Sequence, residues 1–481
     1  MQLGFGMYPT VFPLDPERWT CPGHGTWHRR QCQNTPPVPG FRSLLQQNRN
    51  FRYAWISQVI SEIGDHFNNI AVFSLALATT QSGLVVSGVM LARAVSAVLA
   101  APVAGVVLDR FDRRKVMIAS DLIRAVVAIA FIATIHQPRP WLLYTLSALL
   151  MFASPYFTSG RSAILPSIAT ADELHTANAL TQTTGWTTLT IGTVAAGFSA
   201  ATFGYETAFV LNSLSFLGSA WAIWQVSLGI HHHEGAKARR HEDSARAEAR
   251  SPKSAASSGR PWHDFAAGLR YMRREPLILG ISLLGVGWAS GGGAAQILFT
   301  LFGALVFDRG PAGIGILWGS AGFGLIVGGV IAHRVGPHLT FKRYKRTVAL
   351  CYLVHGGAYV LFSQAARFEV ALFWIALSRA AVAISSVLNW SLLLRRVAHD
   401  YRGRVFATNE SLVWSTMMLS MLAAGLASQS YDPRMIGAVS GVLSSCTAIY
   451  WIWADRVGLL KEPAPRRVET DEAEPHDPLT A

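Results

Sequence analysis

Charge is scarce in this chain. Of 481 residues, only 14% are Asp, Glu, Lys or Arg, against roughly 25% in soluble globular domains. Cysteine is scarcer still: Cys21, Cys32, Cys351 and Cys446 are scattered and suggest no disulfide framework. No Walker-type loop is present, which argues against direct use of ATP. There is no Ser/His/Asp constellation and no dense cluster of metal ligands, so neither an enzyme nor a cofactor is expected. The first ~50 residues lack the short apolar core and cleavage site of a secretory signal. Acidic residues are outnumbered 28 to 41 by Lys and Arg, leaving a net charge of +13. That balance invites a nucleic-acid reading, but the basic residues sit in short links between apolar runs, so no nucleic-acid partner is expected.

What the chain has instead is apolar sequence. The apolar residues make up 51% of the total, and the mean hydropathy is +0.30. A spanning helix needs about 20 mostly apolar residues. Runs that meet this rule lie near 52–78, 83–108, 115–135, 140–164, 175–202, 205–229, 276–306, 311–333, 347–365, 368–394, 404–429 and 434–457. The expected fold is therefore an all-α integral membrane protein with twelve transmembrane helices.

The stretch Gly105-Val-Val-Leu-Asp109-Arg110-Phe-Asp-Arg113-Arg114-Lys115 joins the second and third runs. Such a charge cluster cannot lie in hydrocarbon and must turn at the membrane surface. Its cations assign that surface to the cytoplasm. Alternate links agree, because Arg334, Lys342, Arg343, Lys345, Arg346, Arg395, Arg396, Arg402 and Arg404 fall on the same side. Both termini are then cytoplasmic, in a multi-pass protein of the cell (inner) membrane.

The expected organisation is a disordered cytoplasmic tail over 1–48, a six-helix bundle over 49–229, a cytoplasmic linker over 230–275, a second bundle over 276–459 and a tail over 460–481. Within the linker, His231–His233 read as a solvated run. Residues Trp262 to Glu275 alternate apolar and basic residues at helical spacing and predict a helix on the membrane surface. Cys21, His24, His28 and Cys32 have a spacing that zinc could use, but no small fold is visible around them. The two halves match in outline: Gly105-x-x-x-Asp109-Arg110 recurs as Gly329-x-x-x-His333-Arg334, and Asp172 and Asp400 fall at similar offsets. Two six-span halves form a parallel, pseudo-symmetric repeat, an arrangement that commonly encloses a central site.

On these features the chain resembles the Major Facilitator Superfamily of transporters, through the loop motif Gly105-x-x-x-Asp109-Arg110-x-x-Arg113-Arg114. Within it, the chain is most similar to the bacterial drug- and siderophore-exporter branch of the macrolide efflux and enterobactin export type. Supporting pieces are Asn50-Phe51-Arg52 before Ser61-x-x-Gly64-Asp65, Leu165-Pro166 before Ala177-Asn178-Ala179-Leu180, and Arg402-Gly403-Arg404-Val405-Phe406-Ala407. The resemblance implies a monomeric secondary exporter of small amphipathic molecules, surrounded by lipid and coupled to protons, that works by alternating access. It also implies that Asp109, with the motif residues Gly105, Arg110 and Arg114, sits against the start of the eleventh helix and closes the cytoplasmic side. Arg113 and Asp121 are candidates to extend a charge network there, with Arg124 and Arg161 nearby at the same face, and Glu410, nearer the cytoplasmic end of its span, is a further candidate for the gate. One departure is the fifth span, Gly185-Trp186 through Gly192 to Gly197, which lacks the proline of the antiporter motif. Other readings are facilitated lipid or siderophore transport without proton antiport, and a non-transporting sensor or scaffold.

Ionisable residues within a span are expensive and imply function or pairing. Glu62 and Asp65 share one helix face. Counted at about 1.5 Å per residue, Glu62 and Arg93 reach similar depth near the midplane. Arg93 is therefore expected to face the two carboxylates. Either this set binds protons, with Asp65 as carrier, or it is a permanent structural ion pair. Arg379 lies near the midplane of the tenth span, where an anionic substrate and Glu410 are alternative partners. Trp186, Trp288 and Trp390 are candidates for lining a substrate cavity. Gly291-Gly292-Gly293 mark either a broken seventh helix or close packing.

Overall fold

The computed structural model describes residues 40–137, 139–227, 261–398 and 401–462. The Cys21–Cys32 cluster, His231–His233, Asp400 and most of the C-terminal tail lie outside the described residues.

Every regular element among the described residues is helical. In chain order these are α1 (Phe41–Gln47), α2 (Arg49–Thr80), α3 (Gly83–Arg110), α4 (Arg113–Ala130), α5 (Ala133–His136), α6 (Pro140–Ile168) and α7 (Ala171–Trp224). They continue as α8 (Pro261–Arg274), α9 (Pro276–Leu301), α10 (Gly310–Val335), α11 (Phe341–Gln364), α12 (Phe368–Arg396), α13 (Arg402–Ala427) and α14 (Pro433–Arg456). Residues 41–47, read from sequence as part of a disordered tail, are helical, and Leu44 is completely buried in a small apolar cluster with Phe51, Ala169 and Ala177. Short polar side chains start several helices by satisfying orphan backbone donors. Asn48 Oδ1 accepts from Phe51 N at 2.9 Å to begin α2, and Asp112 Oδ1 accepts from Lys115 N at 3.1 Å to begin α4. Thr170 and Glu173 form a reciprocal capping box at the start of α7.

Nine described helices are long and apolar enough to cross a membrane. One of them, α7, runs through Gly204, whose φ of 81° and ψ of 173° break the helix. That backbone region is open essentially to glycine alone, so α7 makes two crossings that meet at the boundary read from sequence. α2 and α11 supply two more. They are 32 and 24 residues long, enough to exceed a ~30 Å core at 1.5 Å per residue. Their hydropathy is lowered by Arg49, Arg52, Glu62 and Asp65 in α2, and by Lys342, Arg343, Lys345 and Arg346 in α11. The total among the described residues is twelve crossings. An even number puts both described ends of the chain on one face, called here the tail face; the other is the short-loop face.

The packing repeats between the halves. α2 packs on both parts of α7, and α9 packs on both α13 and α14. The pair α3–α6 corresponds to α10–α12, and α4–α6 corresponds to α11–α12. The bundles meet along two symmetry-related seams, α7 with α10 and α3 with α13. Small residues bring the backbones together in the first seam. A Cβ on Gly197 would stand 2.7 Å from the Pro311 carbonyl oxygen and 2.9 Å from Gly315 Cα. In the second seam Ser87 Oγ donates to the Met421 carbonyl at 2.9 Å, and Gly83 packs on Ser428. These contacts lie toward the short-loop face. Toward the tail face, Gly105 looks onto open space, and Val95, Val98, Leu99, Val103 and Val106 are exposed.

The triple glycine of the seventh span does not break α9. Gly291 packs against Ser440 and Ser444, and Gly293 against Met417 and Ser420. The irregular turn of this span comes later, as a π-helical turn over Phe302–Val306.

Candidate functional site

α2 carries Gln58, Glu62, Asp65 and Asn69 at spacings of four, three and four, so they form one stripe. The stripe faces the interior of the first bundle, where neighbouring helices supply a partner at each level. Gln58 Nε2 donates to Glu62 Oε1 at 2.8 Å, and Thr188 of α7 donates to Oε2 at 2.8 Å. Arg161 of α6 places Nη1 3.5 Å from Glu62 Oε1. Glu62 is only 9% exposed. Gln58 and Arg161 also line a cavity of about 190 Å3, together with Trp55, Asn178 and Thr181. Glu62 thus sits directly behind two cavity-lining side chains.

One turn deeper, Asp65 Oδ2 lies 3.8 Å from Arg124 Nη1, and neither Asp65 oxygen has a hydrogen-bond partner among the described residues. Arg124 pairs closely with Asp121 on its own helix. Asp121 Oδ2 accepts from Ser219 Oγ at 2.6 Å, and Ser219 lies 2.7 Å from Ser57 Oγ. The Arg124 guanidinium is held between the rings of Phe157 and Phe216, 4.8 and 4.3 Å from their centroids. This is a favourable setting for a desolvated cation.

Arg93 is completely buried but stands one turn beyond the carboxylates, donating to Asn69 Oδ1 and lying 5.9 Å from the Phe73 ring centroid. Arg93 still feels the Asp65 charge, as expected, but the cations in ion-pair contact are Arg161 beside Glu62 and Arg124 beside Asp65. A depth count finds residues at one level but says nothing of the direction a helix face points. Taken together, Glu62, Asp65 and Asp121 are matched by Arg161, Arg124 and Arg93. Such matching matters because an unpaired buried charge is costly.

The second bundle holds less charge. Arg379 is 6% exposed and lies 5.3 Å from the Phe299 ring centroid, in a narrow cleft with His355, Tyr359, Gly291, Gly292 and Ser444. It makes no ion pair with Glu410; that carboxylate instead accepts from the Trp414 side chain on its own helix. The tryptophans do not share one wall. Trp288 is buried inside the second bundle, Trp186 packs on Gly329 across the α7–α10 seam, and Trp390 stacks on Phe406 with centroids 4.7 Å apart.

The loop motif lies at the tail face. Asp109 and Arg110 are exposed, and Asp109 makes no ion pair among the described residues. The contact expected between Asp109 and the start of the eleventh span is not made in this conformation. Arg113 Nη1 donates to the Ala163 carbonyl at 2.9 Å, and Arg114 donates to the Trp224 carbonyl. Those two bonds tie the start of α4 to the ends of α6 and α7. Asp121 lies beside Arg124 as expected, but the two are completely buried inside the bundle rather than at the surface gate. The roles of Thr188 and Ser219 were not visible from sequence, because a threonine or serine in a span carries no mark of what it faces.

Residues 54–416 match the Major Facilitator Superfamily profile. BacE of Bacillus subtilis (strain 168), named as a candidate bacilysin exporter, is 22% identical over 79% of this chain and 90% of its own length. Macrolide efflux protein A of Streptococcus pyogenes is 20% identical over 83% of this chain and 94% of its own. Among solved structures, a bacterial homologue of the iron transporter ferroportin in an inward-facing state superposes with a TM-score of 0.59 at 16% identity. The match covers 84% of this chain and 98% of that one.

Proposed function

The chain belongs to the Major Facilitator Superfamily, a transporter family, and from that premise we propose that it is a proton-coupled exporter of small amphipathic molecules. The observation that carries this reading is the Glu62–Arg161 pair behind the cavity between α2, α6 and α7. Protonation discharges Glu62, releases Arg161 and alters the balance between two arrangements of the bundles, and the cavity at the tail-face ends of the three helices is the path by which the proton leaves. Asp65, on the same face of α2, takes part as the second carboxylate, with Arg124 as its counter-ion. The charge bias of the links supports a cytoplasmic tail face. When the tail-face ends of α3 and α13 approach, Asp109 meets the positive end of the α13 dipole and closes that side.

Export, rather than import, is supported by the names of BacE and macrolide efflux protein A. These relatives favour the drug-efflux side of the branch over the siderophore side. The test is expression in a drug-sensitive host lacking its main efflux pumps, challenged with a panel of macrolides and with bacilysin. Resistance to at least one compound should rise severalfold, and Glu62→Gln should remove the gain at equal protein level. No protection against any compound, with the protein present in the membrane, would count against this substrate class.

A further inference from the structure

α8 is separated from the spanning helix α9 by a single residue, Glu275, which is the N-cap of α9 and is followed by Pro276 at its first position. This connection fixes α8 at the level where the chain enters the bilayer. Its two sides differ sharply. One side is docked on α13: Asp264 Oδ1 accepts from Arg404 Nε at 3.1 Å, and Thr408 donates to the Phe265 carbonyl at 3.3 Å. Gly268 packs against Arg404 and Thr408, and Met272 is completely buried. Tyr271 stacks on Tyr401 with centroids 4.8 Å apart, and its hydroxyl accepts from Ala398 N at 3.3 Å.

The other side packs on no other helix among the described residues; Trp262 meets only Phe265 of its own helix edge-on, with centroids 5.7 Å apart. Trp262, Ala266, Arg270 and Arg273 follow at spacings of four, four and three and lie on one face, with His263 and Arg274 at its edge. All are exposed, Trp262 to 79%. This face carries three arginines and no carboxylate, since the only acid in the helix, Asp264, is turned to α13. A solvated surface helix has no use for an exposed indole, whereas an indole beside arginines suits the headgroup layer.

We infer that the exposed face of α8 binds anionic phospholipid headgroups and thereby anchors the tail-face end of α13 to the bilayer. The guanidinium groups supply charge for the lipid phosphates, and Trp262 enters the interfacial layer. The docked side transmits that hold to α13, which forms one of the two seams between the bundles.

The full-length protein in nanodiscs provides the test, read by hydrogen exchange of the α8 backbone amides. The discs contain either zwitterionic phosphatidylcholine alone or the same lipid with about a third phosphatidylglycerol. Anionic lipid should slow exchange across α8, by roughly fivefold for each arginine engaged. The triple variant Arg270→Gln, Arg273→Gln, Arg274→Gln should lose this dependence. The triple Lys variant should keep most of it, and this separates charge recognition from simple misfolding. Equal protection in both kinds of disc would overturn the proposal, as would an undiminished response in the Gln variant. Protection restored in zwitterionic discs by inorganic phosphate alone would assign the face to a soluble anion and overturn the lipid assignment.

Discussion

Arg124 is the most exacting place to test the buried network. Its guanidinium and the Asp121 carboxylate are both completely buried, Asp65 lies 3.8 Å away, and two aromatic rings cover its faces. Arg124→Met keeps the volume and apolar stem but leaves two carboxylates without their cation. Removing one member of a buried pair costs about 3–5 kcal/mol, because the remaining charge is stranded. The loss should appear as lower resistance to unfolding in detergent, followed by thermal or denaturant titration. Asp121→Asn added to Arg124→Met removes one stranded charge, so the double variant should be more stable than Arg124→Met alone. Arg124→Lys should fall between, since it keeps charge but loses the planar stacking between Phe157 and Phe216. A loss below about 1 kcal/mol for Arg124→Met, or no recovery in the double variant, would show that the network is not held by charge matching.

Ser219→Ala removes the 2.6 Å hydrogen bond to Asp121 and the 2.7 Å contact with Ser57; a loss of about 1.5–3 kcal/mol is expected for a bond to a charged acceptor, measured in the same unfolding assay. Gly315→Val should force α7 and α10 apart, since a Cβ there stands 2.8 Å from Gly197 Cα. The expected cost is about 1–3 kcal/mol, together with faster labelling of a cysteine introduced at Thr193. Gly204→Val should cost about 1–3 kcal/mol by straining the break in α7, whereas the same change at exposed, open Gly403 should cost less in a parallel melt.

The parts of the fold that depend on bulk hydrophobicity were plain in the sequence. Twelve apolar runs and the boundary at Gly204 follow from what lipid will accept. The charged turn over 109–115 was legible for the same reason. Side-chain partnerships were legible only where they are local, as with Glu62 and Asp65 on one face of α2. The choice between Arg93, Arg124 and Arg161 depends on how α4 and α6 rotate against α2, and rotation is set by packing across the bundle. The glycines of α9 illustrate a related limit. A run of three permits either a bend or close approach, and only Ser440, Ser444 and Met417 on neighbouring helices decide for close approach. α1 escaped notice because seven residues with one buried leucine give too short a pattern to read.

The central claim is that loss of the Glu62 charge shifts the bundles between two arrangements. Spin labels at exposed Val106 on α3 and Ala407 on α13, in a background without native cysteines, report the separation at the tail face without any substrate. On lowering the pH from 8 to 5 in nanodiscs, the distance distribution should move toward shorter values. Glu62→Gln should show the short-distance population already at pH 8 and respond little to acid. A distribution that ignores pH, or an acid response of the same size in Glu62→Gln, would contradict the account.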